Sequence, residues 1–212
     1  MVNCRALSAA HFNMTRLGIL ASHRGSNFQA IIDACASGQL NARPVVAISN
    51  NSGSVALTRA RQANIPAIHI SNVTHPAAAA QDQAILKALS DHQVDLVITA
   101  GYMKKLGPLT LASYQGKVIN VHPSLLPRYG GHGMYGLFVH QAVIDNGDTE
   151  TGISVHWVEA DYDTGPVIAQ KVIPVSVNDT AETLAGKVLA EEHALLVSTL
   201  ASLIQCSPME TT

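Results

Sequence analysis

Runs of apolar residues alternate with amphipathic stretches between residues 17 and 122 of the chain. The apolar runs lack polar alternation, which is typical of strands buried on both faces of a parallel sheet. The stretches between them place apolar side chains at helical spacing, as Phe28, Ile31, Ile32 and Cys35 do at i, i+3, i+4 and i+7. This part of the sequence predicts strands at 17–21, 44–48, 66–70, 95–99 and 117–122, and helices at 28–37, 55–63, 77–92 and 109–114.

The pattern changes after residue 150. Residues 152–157 alternate in polarity and residues 166–172 are similar, which favours an antiparallel pair at the edge of the sheet. A long helix is predicted at 180–205, with Thr180 as its N-cap. Parallel strands joined by helices take right-handed crossovers. We therefore predict an α/β fold: a doubly wound, mostly parallel, Rossmann-like sheet with an antiparallel edge excursion and a long C-terminal helix.

The chain is expected to form one domain. No stretch rich in proline, glycine or serine separates two units, so the domain is predicted to cover residues 14–206. Residues 1–13 have no periodic apolar pattern and are expected to be a loose, dispensable extension. Residues 207–212 are expected to be a tail.

The composition restricts the class of partner. The residues are 47% hydrophobic and 13% charged, which indicates an ordered globular protein. The net charge is −2 and there is no block of lysine or arginine, which opposes a nucleic-acid partner. No apolar run is long enough to span a membrane, and the N-terminal stretch lacks the apolar core of a signal peptide. We expect a cytoplasmic protein with small-molecule partners, as a monomer or homodimer.

Cysteine and histidine spacing does not indicate a metal site. The three cysteines lie far apart without a C-x-x-C pair, and the histidines show neither H-x-x-x-H nor H-E-x-x-H spacing. The histidines considered as ligands are His122, His132, His140, His156 and His193. We therefore expect no metal.

The turn after the first predicted strand is a candidate anion site. Gly25 allows close approach of the backbone, and the amides of Ser26 and Asn27 stand at the start of a helix, where the dipole is positive. Ser26 and Asn27 are also predicted N-caps of that helix. The turn is not a G-x-G-x-x-G motif, so a dinucleotide is not indicated. An ordinary strand–helix turn remains an alternative interpretation.

Carbonyl chemistry is indicated at the end of the fifth predicted strand. Asn120 and His122 are two residues apart, so their amide and imidazole point to the same side. An amide can donate to a developing oxyanion while an imidazole moves protons. Asp163, in the loop 161–166, could orient and charge His122. A buried structural histidine and a turn-forming aspartate are the alternatives.

These motifs resemble the formyl-folate transferase family. The resemblance rests on Asn120-Val-His-Pro-Ser-Leu-Leu-Pro127 followed by Asp163-Thr-Gly-Pro-Val-Ile168. It covers residues 16–200 and is strongest to the branch that formylates glycinamide ribonucleotide in purine synthesis. Supporting matches are Gly25-Ser-Asn-Phe-Gln-Ala-Ile-Ile32, Gly101-Tyr-Met-Lys-Lys-Leu106, Asn146-Gly-Asp, Thr151-Gly-Ile-Ser-Val-His156 and Glu191-Glu-His193.

The resemblance implies an enzyme that moves a formyl group from 10-formyltetrahydrofolate, a consumed cosubstrate, to the amine of glycinamide ribonucleotide. No tightly bound cofactor is implied. Asn120 would bind the formyl oxygen, His122 would assist as an acid, and Asp163 would keep His122 oriented and cationic. The other implied contacts are the phosphate at Gly25, Ser26 and Asn27, the folate at Met103, Lys104, Lys105, Leu106, Asn120 and the 161–163 loop, and the glycinamide end at Glu192.

The sequence departs from the family pattern in ways that bear on the ligands. His23 replaces the usual glycine, Lys105 replaces an apolar residue, and residues 77–81 lack the arginine found in many members. The Gly-rich loop at 129–136 is longer than in the shortest members. These changes lie among the implied ligand contacts and not at Asn120, His122 or Asp163.

Other functions remain as alternatives. A methionyl-tRNA formyltransferase is expected to carry a C-terminal RNA-binding domain, and a formyltetrahydrofolate deformylase an N-terminal regulatory domain. The 49 residues after Asp163 and the roughly 16 before the first strand make both less expected. An N-formyltransferase for an amino-sugar nucleotide and a non-catalytic nucleotide-binding module also remain.

Overall fold

A computed structural model describes residues 14–206 of the chain. The predicted extension at 1–13 and the tail at 207–212 lie outside the described residues. The strands are β1 (Thr15–Leu20), β2 (Ala42–Ser49), β3 (Ala67–His69), β4 (Leu96–Thr99), β5 (Val118–His122), β6 (Glu150–Trp157) and β7 (Val167–Pro174). The helices are α1 (Ser26–Ala36), α2 (Val55–Gln62), α3 (Ala78–Asp91), α4 (Pro108–Ser113), α5 (Leu137–Asp145) and α6 (Ala181–Cys206).

The seven strands form one sheet in the order β3-β2-β1-β4-β5-β6-β7. The pairings from β3 to β5 are parallel, and those of β5 with β6 and of β6 with β7 are antiparallel. The chain returns to the centre of the sheet between β3 and β4, so the strand order reverses beside β1. The predicted fold class, including the antiparallel edge and the long last helix, is confirmed.

Apolar side chains from both faces of the sheet form two buried clusters. Leu17 and Ile19 of β1 enter one cluster, whereas Leu20 enters the other. The first cluster continues into α1 and α6, and the second into α3. Strands covered on both faces need no polar alternation, which explains the apolar runs. Within residues 14–206, no helix combines the length and apolar character needed to cross a membrane.

The starts of two helices test the predicted caps. α1 begins at Ser26, and its N-cap is Gly25, which has a φ of 63° and offers no side-chain cap. Ser26 and Asn27 therefore lie in the first turn, so their assignment as caps was wrong. At α6 the predicted cap is confirmed, because the N–H of Thr183 donates to Thr180 Oγ1 over 3.3 Å.

Helix α5 is an element that the sequence analysis missed. It begins after Gly136, which gives no side-chain cap, and its apolar residues cover more than one face. Val139 and Val143 are fully buried, whereas Leu137 and Phe138 are at least half exposed. An amphipathic stripe and a polar cap are the usual signals of a helix, and this segment has neither.

Candidate active site

The predicted site residues lie at the carboxyl edge of the sheet, where β1, β4 and β5 run side by side. Ser22, just after β1, connects the loops that leave these strands. Its hydroxyl accepts from the N–H of Met103 over 2.8 Å and donates to Asn50 Oδ1 over 2.5 Å. The turn after β1 and the segment after β4 are thereby held together.

The register across β4, β5 and β6 places three polar side chains in a row. Asn120 pairs with Thr99 on one side and with His156 on the other. Thr99 Oγ1 donates to Asn120 Oδ1 over 2.9 Å, and Asn120 Nδ2 lies 3.1 Å from His156 Nε2. The amide of Asn120 is therefore fixed from both neighbouring strands.

The orientation of this amide follows from Asp163. Asn120 Nδ2 lies 3.4 Å from Asp163 Oδ1, and an ionised carboxylate can only accept a hydrogen bond. The N–H groups of Asn120 therefore face Asp163 and His156. His156 Nδ1 lies 2.8 Å from the carbonyl oxygen of Trp157, so it carries the proton and leaves Nε2 free to accept from Asn120. A hydrogen bond of 3.4 Å is weak and easily exchanged for another acceptor.

Asp163 is held by its backbone and by the neighbouring loop. Its φ is 57°, in the left-handed region, and its Oδ2 accepts from the N–H of Gly131 over 2.9 Å. Gly165 lies so close to β6 that an added Cβ would stand 1.9 Å from the carbonyl oxygen of Trp157. Because residue 165 has no side chain, the loop can fold over the end of β6, and this places Asp163 in the site.

His122 lies beside Asp163 and is buried. Its Nε2 is 2.8 Å from the carbonyl oxygen of Tyr129, which can only accept, so Nε2 carries a proton. Its Nδ1 is 3.5 Å from Asp163 Oδ2. Proton exchange at His122 is therefore assigned to Nδ1, the nitrogen that faces the carboxylate.

The charges of this pair differ from the expectation. Burial lowers the pKa of His122, and the nearby carboxylate of Asp163 only partly opposes this effect. A pKa below the ordinary value favours the neutral imidazole at pH 7, against the expectation that Asp163 keeps it cationic. Burial raises the pKa of Asp163, but its proximity to the His156 and His122 imidazoles and the N–H of Gly131 outweigh burial. The pKa of Asp163 lies below its ordinary value, so it is ionised.

The predicted phosphate turn adjoins the last helix. Asn27 is buried, and its Nδ2 donates to Glu192 Oε1. Burial raises the pKa of Glu192, and the hydrogen bond from Asn27 only partly offsets this. The structure thus brings Glu192 to the turn formed by Gly25, Ser26 and Asn27. The Oδ1 atom of Asn27 has no hydrogen-bond partner among residues 14–206.

A cavity opens between the segment after β4 and the loop between β6 and β7. Asn120 and Asp163 line it, whereas His122 is not part of its wall. Three of the predicted folate contacts, Lys104, Lys105 and Leu106, also line it. The wall does not include Met103, whose backbone is engaged by Ser22. The remaining lining residues are Thr99, Tyr102, His156, Val158, Glu159, Ala160, Asp161 and Tyr162.

Three residues that hold the site were not among the predicted site residues. His156 was weighed as a metal ligand and included in a family match, but it was given no role beside Asn120, which it faces across the β5–β6 pair. Thr99 orients the Asn120 amide, and Tyr129 holds His122 through its carbonyl group. His156 could have been found from the predicted antiparallel pairing of the edge strands. The backbone contact of Tyr129 leaves no signal in residue type.

Acidic and histidine side chains converge here without forming a ligand set. Among residues 14–206, no group of three or more His, Cys, Asp or Glu side chains is placed to hold a metal ion. Cys35 is half-buried, and burial raises the pKa of its thiol to about 11. A thiol with that pKa is protonated at neutral pH and is a poor ligand or nucleophile.

Comparisons with known sequences agree with this chemistry. A family model described as formyl transferase matches residues 15–200. The chain is 37% identical over 190 residues to a chloroplastic phosphoribosylglycinamide formyltransferase of Vigna unguiculata, which covers 90% of this chain and 61% of that protein. It is 37% identical over 177 residues to phosphoribosylglycinamide formyltransferase of Escherichia coli K12, with 84% of this chain and 81% of that protein covered. The chain thus spans less than two thirds of the chloroplastic relative.

A solved structure extends the similarity to the fold. The crystal structure of glycinamide ribonucleotide transformylase 1 from Symbiobacterium toebii superposes with a TM-score of 0.86 and 35% sequence identity. The superposition covers 93% of this chain and 92% of that one. The family match runs from β1 into α6 and includes every residue of the site described above.

Proposed function

Because the chain belongs to the formyl transferase family, we propose that it transfers a formyl group from 10-formyltetrahydrofolate to the primary amine of glycinamide ribonucleotide, a step of purine synthesis. The chain is then a folate-dependent enzyme in which the folate is a consumed cosubstrate. The proposed location is the cytoplasm, and the proposed assembly is a monomer or homodimer.

The reaction begins when the amine nitrogen attacks the formyl carbon on N10 of the folate. A C–N bond forms, the carbonyl oxygen becomes an oxyanion, and a tetrahedral intermediate results. Asn120 Nδ2 would release its weak contact with Asp163 and donate to this oxyanion. The other N–H of the amide stays on His156, so the donor is held in place before the charge develops.

Proton movement follows from the state of His122. Its neutral Nδ1 would accept the proton that the attacking amine loses. The imidazolium formed is then stabilised by the adjacent carboxylate of Asp163. His122 would next give the proton to N10 as the C–N10 bond breaks. His122 therefore acts as a base first and as an acid second.

The acceptor would lie across the turn after β1. The N–H groups at the start of α1 suit a phosphate, and the unpartnered Oδ1 of Asn27 offers an acceptor to the rest of the ligand. Glu192, hydrogen-bonded to Asn27, would meet the glycinamide end. The folate would occupy the cavity lined by Lys104, Leu106 and Asn120.

The observation that carries this proposal is the joint geometry of Asn120, His122 and Asp163. An amide donor and a proton-exchanging imidazole share one carboxylate, as formyl transfer requires. The test is an acceptor screen with 10-formyltetrahydrofolate, in which glycinamide ribonucleotide, an amino-sugar nucleotide and water compete. We expect formylation of glycinamide ribonucleotide alone. Preference for the amino sugar or for water would show that glycinamide ribonucleotide is not the acceptor. Absence of turnover with all three would show that the protein is not a formyl-transferring enzyme.

A matched pair of variants completes the test. Asn120→Ala removes the oxyanion donor and is expected to lower kcat about 100-fold or more. Asn72→Ala changes an exposed asparagine in the loop after β3 and should retain wild-type turnover. Equal activity of the two variants would show that Asn120 takes no part in the reaction.

A further inference from the structure

The cavity beside Asn120 and Asp163 is small for the ligand proposed above. Its volume is about 60 Å³. Pockets that bind small organic ligands usually measure roughly 300–1,000 Å³. A pteridine with its aminobenzoyl tail needs far more than 60 Å³, so it fits only where this cavity joins the neighbouring depression of about 490 Å³.

One ion pair spans the two walls. Lys105, in the segment after β4, places its Nζ 2.8 Å from Oδ1 of Asp161, in the loop between β6 and β7. The same Nζ lies 5.3 Å from the ring centre of Tyr162. Lys105, Asp161 and Tyr162 line both this cavity and a second, open depression that also contains His132. The bridge formed by Lys105, Asp161 and Tyr162 therefore stands between the inner cavity and the outside.

None of the other described contacts of the Asp161–Asp163 loop reaches the segment after β4. Thr164 Oγ1 donates to the carbonyl of Asp161 within the loop, and the N–H of Gly131 holds Asp163. The Tyr162 ring packs edge-on against His132, with ring centres 6.0 Å apart. Among the described contacts, the bridge is therefore what fastens the outer end of the loop to the opposite wall. Its residues are accessible, because 47% of the Lys105 side chain and 78% of the Asp161 side chain are exposed. Contacts of this kind break and re-form readily.

We propose that Lys105 gates the folate site: its bridge to Asp161 and Tyr162 holds the pocket in a contracted form that must open to admit the cosubstrate. This inference rests on the proposed function. When only the open fraction of a protein binds, both the apparent affinity and the association rate fall in proportion to that fraction. Removing the bridge therefore speeds and tightens binding. The opposite result is expected if a lysine at the entrance merely attracts an anionic ligand.

The single tryptophan of the chain reports the binding step. Trp157 ends β6 and stands in the sequence between His156 and Val158, which both line the cavity, and the sequence has no other indole. Association of tetrahydrofolate, the product of the proposed transfer, can be followed by quenching of Trp157 in stopped flow. Lys105→Met is expected to bind about threefold to tenfold faster than wild type, a size that suits an exposed ion pair with a cation–π contact. Raising salt from about 0.05 to about 0.5 M should speed association with wild type but not with the variant, because salt screens exposed pairs.

Three further variants make the result specific. Asp161→Asn should match Lys105→Met, and the exchange Lys105→Asp with Asp161→Lys should return the rate to that of wild type. Lys87→Met removes an equally short exposed pair with Asp91 within α3 and should have no effect. Unchanged or slower association of Lys105→Met overturns the gate. Failure of the folded wild-type protein to bind tetrahydrofolate overturns the proposed function, and the gate with it.

Discussion

Asp163 reaches His122 from a left-handed backbone conformation, with its Oδ2 atom 3.5 Å from His122 Nδ1 and its φ at 57°. The contact joins the end of β5 to a loop 41 positions further along the chain. The carboxylate faces the one nitrogen of His122 that the Tyr129 carbonyl leaves free. This arrangement suits a histidine that gains and loses a proton at Nδ1.

The first prediction concerns this pair. Asp163→Asn is expected to lower kcat about 100-fold or more, because an amide cannot stabilise the imidazolium. Asparagine tolerates left-handed backbone, so the fold and the melting temperature should be preserved. Steady-state kinetics and calorimetry measure the two effects. His122→Ala combined with Asp163→Asn should be little worse than the poorer single variant, since residues that act as a unit are non-additive. Losses that simply multiply would show that the two residues act separately.

The second prediction concerns the anion site. Ser26→Asp places a negative charge in the first turn of α1, where the acceptor's phosphate is proposed to bind, and should raise the acceptor KM about tenfold or more. Ser26→Ala keeps the backbone N–H groups and should stay close to wild type. An unchanged acceptor KM for Ser26→Asp would place the phosphate elsewhere.

The third prediction concerns acid stability. Burial lowers the pKa of His140, and the nearby His122 lowers it further. In the unfolded chain the group has its ordinary pKa of ~6.5, so below that pH the unfolded state binds more protons. The free energy of unfolding should therefore fall as pH drops through about 6.5. His140→Gln should reduce this slope in urea titrations at several pH values. His132→Gln, at an exposed position, should not, and equal slopes for both would exclude His140 as the cause.

The fourth prediction concerns the support of α4. Buried Asp82 accepts from the N–H groups of Leu109 and Thr110 over 2.8 and 3.0 Å, and from Thr110 Oγ1 over 2.6 Å. Asp82→Ala leaves these donors without a partner and should lower the free energy of unfolding by about 2–3 kcal/mol.

Two further variants check this role of Asp82. Asp82→Asn keeps one acceptor oxygen and should cost less. Gly107→Ala should resemble Asp82→Ala, because a Cβ at 107 would stand 2.2 Å from Asp82 Cγ. Chemical denaturation measures all three variants. Full stability of Gly107→Ala would contradict this close packing.

The order of elements could be predicted because local pattern and burial agree. Residues 95–99 and 117–122 are apolar strands covered on both faces, and they appear as β4 and β5, each starting one residue later than predicted. The predicted N-caps of α1 were wrong because Ser26 and Asn27 are both good capping residues that stand together. The helix already starts at Ser26 because Gly25 takes the left-handed backbone conformation and serves as the N-cap. Helix α5 was missed because tertiary packing of Val139 and Val143, not an amphipathic stripe, holds it.

The same distinction between local sequence pattern and tertiary packing holds for the candidate site. Asn120 and His122 could be paired from sequence because residues two apart on a strand share a face. The sequence also determined the fold class, the family resemblance and the candidate chemistry, since these depend on residue type and spacing. Only the tertiary structure placed His156 beside Asn120. It also brought the Tyr129 carbonyl within hydrogen-bond distance of His122, and Lys105 within ion-pair distance of Asp161. The tertiary structure also lowered the pKa of His122, because burial and the distance to a carboxylate are properties of the packed chain and not of spacing along it.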